Sequence, residues 1–377
     1  MINRMKSAVI LNAKNLIGWK TGRKIVVFSV DDYGNVRVNS KEARDNLDAA
    51  GFKPQNRFDR LDALETSEDL EALFDALQSV KDKNGRHAVF TPFSLPCNID
   101  FEKVKETGYR AYHYELLPET FGKLSEKQPD AYSGAWKLWQ QGINNGLLAP
   151  QFHGREHLNL KVFEEKLSNN DKELITNLEN RSFTSLSESG YDTISSLAAF
   201  DFWDFNENDR FHEIIRDGLD RFKQVFGYRS NHFTPPVYNS HPVINETLKE
   251  NGIQYMDTAL IKNEHQGKGK FKKRYSYMGK KNAAGQVLIV RNVVFEPTEN
   301  RGIDWESFAI KQIEAAFRWN RPAVISSHRV NFCGHIEKEN RKIGIQSLKN
   351  LLKLIKKRWP DVEFLSASEL GSEIKRK

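Results

Sequence analysis

Two adjacent carboxylates, Asp31 and Asp32, directly follow a short apolar run at residues 25–30. The run is rich in β-branched residues, which predicts a strand buried on both faces. An acidic pair after such a strand does not serve packing, because burying an unpaired charge is costly. In α/β enzymes the C-terminal ends of parallel strands hold the chemistry. The doublet therefore predicts an active site at the end of the first strand. The alternative is helix capping, since the next helix is expected to begin near Asn39 and Ser40.

A histidine pair lies in the segment HGREH, which runs from His153 to His157. Two histidines four residues apart can project from one helical face or from a tight turn into a helix, and this spacing suits one metal ion. The pair follows a short apolar strand predicted at residues 146–152. The order of the H-E-x-x-H zinc-protease motif is absent. The alternative is a pair of exposed or capping histidines near a helix start.

Two more predicted strands end in residues of chemical interest. The strand at residues 323–326 leads to His328, and the segment HFTPPVY at residues 232–238 is a strand followed by a rigid Pro-Pro turn. Each feature is common singly. Together with the acidic doublet and the histidine pair, they predict a metal site with a base and an acid beside it.

The elements that must position these residues alternate between strand and helix along the chain. Strands are predicted at 87–93, 253–257, 287–295 and 362–365, besides those above, and helices at 41–50, within 60–81, and at 160–178, 211–226, 241–252, 305–319 and 343–358. This alternation predicts an α/β fold with mainly parallel strands in a closed or nearly closed barrel. We expect one barrel over residues 23–377, with insertions near 96–150 and 182–210. Residues 1–22 are expected to form an N-terminal arm or an amphipathic helix.

Composition narrows the class of protein. The chain has 377 residues with 39% hydrophobic and 28% charged residues, enough for a sizeable core. The formal charge is +7, but the basic residues are interspersed with acidic ones, which favours a mixed solvated surface over nucleic-acid binding. Anionic glycans or an anionic membrane surface remain compatible partners. Two cysteines exclude a disulfide scaffold and a cysteine zinc site.

Targeting signals are not apparent. The N-terminal apolar run from Ala8 to Leu11 is too short for a signal-peptide core, and no later stretch resembles a membrane span. The expected location is cytoplasmic, with no membrane span and with peripheral surface contact left open.

These motifs resemble the polysaccharide deacetylase (NodB-homology) family, a carbohydrate esterase family 4-like group known for a distorted (β/α)7 barrel. FSVDDYG is similar to the family segment T-F-D-D-G, HGREH to H-[ST]-x-x-H, and FTPPVY to F-R-x-P-[YW]. SSHRVN resembles the late segment that ends in the catalytic histidine. The doublet also resembles the more distant YdjC-like deacetylases. One departure concerns Thr234, which stands where the family has an arginine that braces the base.

The resemblance implies a role for each motif residue. It implies Asp31 as the base and His328 as the acid. The implied metal ligands are Asp32, His153 and His157. The implied substrate-groove residues are Pro235, Pro236, Val237 and Tyr238, and a backbone N–H of Val237 or Tyr238 would face the oxyanion.

The implied ligand set suits a catalytic metal. One aspartate and two histidines leave open positions for water and substrate, as in catalytic Zn²⁺ sites. Zn²⁺ is expected first, although Fe²⁺, Co²⁺, Mn²⁺ and Ni²⁺ also accept nitrogen and oxygen ligands. The expected activity is metal-dependent removal of an N-acetyl or O-acetyl group from a carbohydrate or glycan. Two alternatives stay open: a hydrolase of a non-sugar amide or cyclic imide, and a non-catalytic glycan-binding barrel.

Overall fold

The computed structural model describes residues 11–376. Much of the predicted N-terminal arm, residues 1–10, lies outside the described residues, as does Lys377. The strands are β1 Lys24–Tyr33, β2 Phe90–Ser94, β3 Cys97–Ile99, β4 Tyr114–Leu116, β5 Gln151–Phe152, β6 His232–Phe233, β7 Tyr255–Asp257, β8 Ile261–His265, β9 Phe271–Tyr275, β10 Val287–Ile289, β11 Val293–Val294, β12 Ala323–His328 and β13 Val362–Phe364. The α-helices are α1 Lys41–Ala49, α2 Arg57–Leu61, α3 Ser67–Gln78, α4 Phe101–Glu106, α5 Leu117–Lys127, α6 Pro129–Tyr132, α7 Ala135–Asn144, α8 Leu160–Ser168, α9 Lys172–Glu179, α10 Asn208–Phe226, α11 Asn245–Glu250, α12 Trp305–Arg318, α13 Lys338–Arg358 and α14 Ala367–Lys375.

Parallel pairing builds one curled nine-stranded sheet in the described chain. Its strands follow the order β10-β7-β6-β5-β2-β1-β12-β11, and β13 pairs with the first residues of β1. The central strand β1 is buried along almost its whole length, as its apolar sequence predicts. The α/β barrel-type fold with parallel strands and surrounding helices is thereby confirmed.

One chain segment joins the two ends of this sheet. β10 pairs with β7, and β11, which begins four residues after β10 ends, pairs with β12. The sequence predicts one continuous strand over 287–295, but residues 290–292 leave the ladder. The interruption places Arg291 in the barrel interior, where it meets two carboxylates.

A buried ion cluster explains why the helix predicted within 60–81 is divided into α2 and α3. Residues 62–66 leave helical geometry, and Asp62 and Glu65 accept hydrogen bonds from the Arg329 guanidinium at 3.0 and 2.9 Å. Arg329 is fully buried. A buried guanidinium needs carboxylate partners, and the turn supplies them. Thr66 and Asp69 then form a capping box that begins α3.

The insertions are more ordered than their sequences indicate. Within 96–150 the chain forms the hairpin of β3 and β4 and the helices α4–α7. Residues 182–204 follow an irregular path in contact with the site described below. The antiparallel hairpin of β8 and β9 is a third insertion that the sequence did not indicate. Within residues 11–376, no helix combines the length and apolar character needed to cross a bilayer.

Candidate active site

Four strands of the curled sheet, β1, β5, β6 and β12, carry residues that line one cavity at or just after their C-terminal ends. The cavity has a volume of about 280 Å³. It is lined by Asp31, Asp32, Arg37, Asn56, Phe58, His153, His157, Ser185, Ser195, Leu197, Pro235, Val237, Tyr238 and His328. All five residues expected to act as base, acid or metal ligand therefore lie in the same cavity.

A β-bulge at the end of β1 lets both carboxylates of the doublet face this cavity. Neighbouring strand residues normally point to opposite faces. Here the register with β2 shifts between Val30 and Tyr33, and Asp32 has a φ of 74°. Positive φ at a non-glycine residue costs about 1–3 kcal/mol and is common at functional sites. The bulge turns Asp31 and Asp32 to the same side.

Asp32, His153 and His157 form a compact, buried cluster. Asp32 Oδ1 lies 3.4 Å from His153 Nε2 and 3.2 Å from His157 Nε2. Ligand atoms bound at about 2.1 Å to one tetrahedral ion lie roughly 3.4 Å apart. The spacing of these three donors fits a single ion of that kind.

The environment of His153 prepares its ring as a ligand. Its Nδ1 lies 2.7 Å from the Thr234 carbonyl oxygen, which can only accept, so Nδ1 carries the proton and donates. Nε2 then presents a lone pair, and this buried atom has no hydrogen-bond partner. Such an outer hydrogen bond is typical of metal-binding histidines. Gly154, with a φ of 122°, turns the chain back so that His157 reaches the same point from a loop and not from a helix.

The charge states of the cluster also suit a cation. Burial raises the pKa of Asp32, but the close approach of His153 and His157 outweighs burial and holds the pKa well below its ordinary value. Burial lowers the pKa of His157. An ionised aspartate with neutral imidazole is the combination that metal binding requires. The residues present therefore fit a divalent transition metal.

Arg291 braces Asp31, a role that the side chain of Thr234 cannot fill. Its Nη1 and Nη2 donate to the two Asp31 carboxylate oxygens at 2.6 and 2.8 Å. The same guanidinium donates from Nε to Asp257 Oδ2 at 2.8 Å and from Nη2 to Thr234 Oγ1 at 3.0 Å. A bidentate pair of this kind fixes the plane of the carboxylate. An arginine from the segment between β10 and β11 therefore takes the bracing role that the resemblance assigns to residue 234.

Asp257, the last residue of β7, completes the support. It accepts hydrogen bonds from Arg291 and from the Thr234 hydroxyl at 2.7 Å, and its Oδ1 lies 2.9 Å from His232 Nε2. Burial would raise the pKa of Asp257, but the charges of Arg291 and His232 hold the pKa far below its ordinary value. The guanidinium is thus shared between two carboxylates, one of which faces the cavity.

His328 stands opposite Asp31. Its Nε2 lies 4.0 Å from Asp31 Oδ2, and its Nδ1 lies 2.7 Å from Glu296 Oε1. Desolvation lowers the pKa of His328, but the charge and hydrogen bond of Glu296 outweigh it and raise the pKa to about 9. Glu296 is held in turn by Asn331 Nδ2 at 2.7 Å and by the Arg57 guanidinium. The arrangement keeps a protonated imidazole at the mouth of the cavity.

The turn after β6 places three of its four predicted groove residues on the cavity. Pro235, Val237 and Tyr238 line it, whereas Pro236 is buried and packs towards Gly154. Pro236 thus does not line this cavity, and its expected substrate-groove role stays a prediction. The Tyr238 N–H donates to the Pro235 carbonyl at 3.0 Å. The Val237 N–H has no partner in the described chain, and Val237 has a φ of 55°.

The sequence interpretation missed Arg291, Asp257, Glu296 and His232. The first three carry the signal that singled out Asp31 and His328, because each is a charged residue at the end of an apolar strand segment.

Aromatic residues in the insertions do not line the cavity. Among them, Trp139 is fully buried and donates from Nε1 to Glu65, so it belongs to the core.

Comparison with known proteins gives structural matches only. No protein-family model and no curated protein sequence matches this chain. A probable polysaccharide deacetylase from Pseudomonas aeruginosa PAO1 has 7% identity and a TM-score of 0.47, with 94% of this chain and 92% of that one covered. The Bc1960 peptidoglycan N-acetylglucosamine deacetylase has 11% identity, a TM-score of 0.36, and coverage of 95% and 94%. The allantoinase Puue has 9% identity, a TM-score of 0.43, and coverage of 94% and 91%. These similarities concern the course of the chain only.

Proposed function

We propose that this protein is a metal-dependent hydrolase that removes an N-acetyl or O-acetyl group from a carbohydrate or polysaccharide intermediate. The observation that carries the proposal is the meeting of Asp32, His153 and His157 in one cavity with Asp31 and His328. A three-donor cluster beside a braced carboxylate and a protonated imidazole suits hydrolysis of an acyl group.

The cluster of Asp32, His153 and His157 would hold the metal, with Zn²⁺ as the first expectation and Fe²⁺, Co²⁺, Mn²⁺ or Ni²⁺ as alternatives. When bound, a divalent metal supplies polarisation of the acyl carbonyl and lowers the pKa of water. The protein fixes the three donors through the Thr234 carbonyl on His153 and through the bulge at Asp32.

Asp31 is the proposed general base. Its carboxylate faces the cavity, and the bidentate contact with Arg291 fixes its orientation. In this role it takes the proton of the attacking water as the new carbon–oxygen bond forms. The unpartnered N–H of Val237 is the proposed donor to the developing oxyanion.

His328 is the proposed general acid. An amide nitrogen leaves readily only once it is protonated, and His328 can deliver this proton from Nε2 while Nδ1 stays bound to Glu296. The raised pKa of about 9 keeps the imidazole protonated at neutral pH. Base and acid thus act from neighbouring strands of the same cavity.

Acetate release tests the proposal. Metal-loaded protein is incubated with N-acetylglucosamine oligomers, O-acetylated xylan and, in parallel, a small cyclic imide such as dihydrouracil. Release of acetate with appearance of a free amine or hydroxyl supports the proposed function. Ring opening of the cyclic compound without acetate release would place the protein in the alternative class of amide hydrolases.

The second alternative is a non-catalytic glycan-binding barrel. A glycan-binding barrel would be favoured if nothing braced Asp31, but Arg291 supplies that brace. Failure of this protein to bind any transition metal after reconstitution would favour this alternative.

Replacing Glu296 by Gln is expected to lower kcat by about 10²-fold, the lower end of what general acid catalysis supplies. The charge of Glu296 raises the pKa of His328, so its loss lowers that pKa. The protonated acid would then disappear at a lower pH, and the alkaline limb of the kcat profile would move towards neutral pH. A kcat–pH profile of both proteins measures the effect.

Glu299→Gln is the matched control, since Glu299 lies three residues further on and pairs with Arg301. Its profile should equal that of the unaltered protein. An unchanged alkaline limb in Glu296→Gln would show that His328 is not the acid.

A further inference from the structure

A second cavity, larger and cationic, lies next to the candidate active site. We propose that this cavity binds a phosphate or diphosphate group of the substrate, so that the acetylated sugar is presented as a phosphate ester. The inference rests on the proposed function and narrows its substrate class.

The hairpin of β8 and β9 forms one wall of this cavity, which has a volume of about 600 Å³. Five basic side chains line it: Lys262, Lys273, Arg274, Lys280 and Lys281. Polar groups suited to an anion also line it: Ser240, Asn245, Thr258, Ser276 and Asn282.

The two carboxylates on the cavity wall are already neutralised. Asp257 Oδ2 lies 2.7 Å from Arg291 Nη2, within the brace of Asp31. Glu264 Oε1 lies 2.9 Å from Arg274 Nη2. Both carboxylates are therefore paired with arginines, and neither forms a salt bridge with the four lysines.

The lysines themselves make no ion pair in the described chain. Lys262 Nζ donates to the Ser240 carbonyl at 2.6 Å, and Lys280 Nζ donates to the Tyr275 carbonyl at 2.7 Å. Burial lowers the pKa of Lys262 to about 8. An ammonium group held in such a place gains most from an anion that enters the cavity.

Phosphate is the anion that this arrangement fits best. Lysine acts as a point charge on phosphate oxygens, without the planar geometry that selects carboxylates. A phosphate monoester carries a charge of about −1.5 to −2 at neutral pH, whereas a sugar carboxylate carries one. Four lysines without a salt-bridge partner match the larger charge.

The hairpin is fixed against the insertion that lines the active site. The His265 ring is stacked between Phe202 and Phe271, with centroids at 5.2 and 4.9 Å. His265 Nδ1 lies 2.6 Å from Asp201 Oδ1, and the Lys268 N–H donates to the Trp203 carbonyl at 2.8 Å. The cationic wall is therefore held in place by these contacts.

One turn separates the two cavities. Val237 and Tyr238 line the active-site cavity, and Ser240 lines the cationic cavity. Two residues span at most about 7 Å of chain. One sugar phosphate can therefore present its acetyl group to the first cavity and its phosphate to the second.

Pyrophosphate binding tests the cationic cavity without any catalysis. Because pyrophosphate also binds metals, calorimetric titration uses the His153→Ala, His157→Ala protein, with chelator-treated unaltered protein as the second preparation. In each background, Lys262→Gln with Lys273→Gln removes two cavity lysines. Lys270→Gln with Lys272→Gln removes the same charge from the hairpin outside the cavity, because Lys272 points to the opposite face from Lys273.

We expect the cavity pair to weaken pyrophosphate binding by at least about 10-fold per lysine, a typical loss for a charge-assisted contact. The control pair should change it less than about 3-fold, since only screened long-range attraction is lost. Equal losses in both pairs, or no binding at all, would overturn the inference.

Kinetics then identify the source of the phosphate. UDP-N-acetylglucosamine and farnesyl-diphosphate-linked N-acetylglucosamine are compared with free N-acetylglucosamine. A preference of at least about 10-fold in kcat/KM for either phosphorylated substrate supports the inference and distinguishes a nucleotide from a lipid carrier. Equal kcat/KM for all three would overturn it. If pyrophosphate binds as expected but no acetate is released from any substrate, the proposed function fails and the cationic cavity stands.

Discussion

Simultaneous replacement of His153 and His157 by alanine is expected to abolish metal binding and hydrolysis together. The two Nε2 atoms and Asp32 Oδ1 are the donors that fit one ion, and a single carboxylate does not retain it. Metal supplies several kcal/mol of transition-state stabilisation, so activity should fall by about 10³-fold or more. Elemental analysis of the purified proteins should find about one transition metal per chain only in the unaltered protein.

A thermal-shift measurement gives a second readout that does not depend on activity. Because a ligand that binds only the folded state stabilises it, added Zn²⁺ should raise the Tm of the unaltered protein and leave the double variant unchanged. His87→Ala with His212→Ala is the matched control, since both histidines lie outside the cavity. Metal retained in the double variant would place the ion elsewhere.

Replacing Asp31 by asparagine should remove turnover while leaving the metal content near that of the unaltered protein. A general base contributes about 10²–10⁴-fold, and an amide cannot accept the proton of the attacking water. Folding should be retained, because Arg291 keeps Asp257 as its carboxylate partner and the new amide oxygen can still accept one hydrogen bond. Loss of kcat with unchanged metal content separates a base from a ligand.

The control is Asp45→Asn, which removes an exposed carboxylate paired with Lys41. Its kcat and metal content should match those of the unaltered protein. If Asp31→Asn kept more than about a tenth of the activity, the base would have to be another group. If it lost its metal, Asp31 would be a ligand. Either result contradicts the assignment of roles within the doublet.

The sequence by itself predicted which aspartate and histidine side chains line the candidate site. Asp31, Asp32, His153 and His328 each follow a short apolar strand, and in a parallel sheet the carboxyl ends of all strands share one edge. Local patterns at distant positions therefore predict a common location without knowledge of the exact fold. The strand and helix alternation likewise predicted the parallel α/β architecture, because hydrophobic periodicity is a local property.

Other features depended on contacts between distant segments. The bulge that turns Asp31 and Asp32 to the same side arises from pairing with β2, and the broken strand at 290–292 arises because Arg291 meets Asp31 and Asp257. No local pattern specifies which of many arginines braces a given carboxylate.

The cationic cavity was also beyond sequence reasoning. Its lysines lie in a stretch whose sequence indicates a mixed charged surface, and the pairing of Glu264 with Arg274 and of Asp257 with Arg291 leaves them without a salt-bridge partner in the described chain. The tertiary structure decided these partners, because the net charge of a surface depends on which ions are neighbours in space. Sequence alone specifies only the number of charged residues.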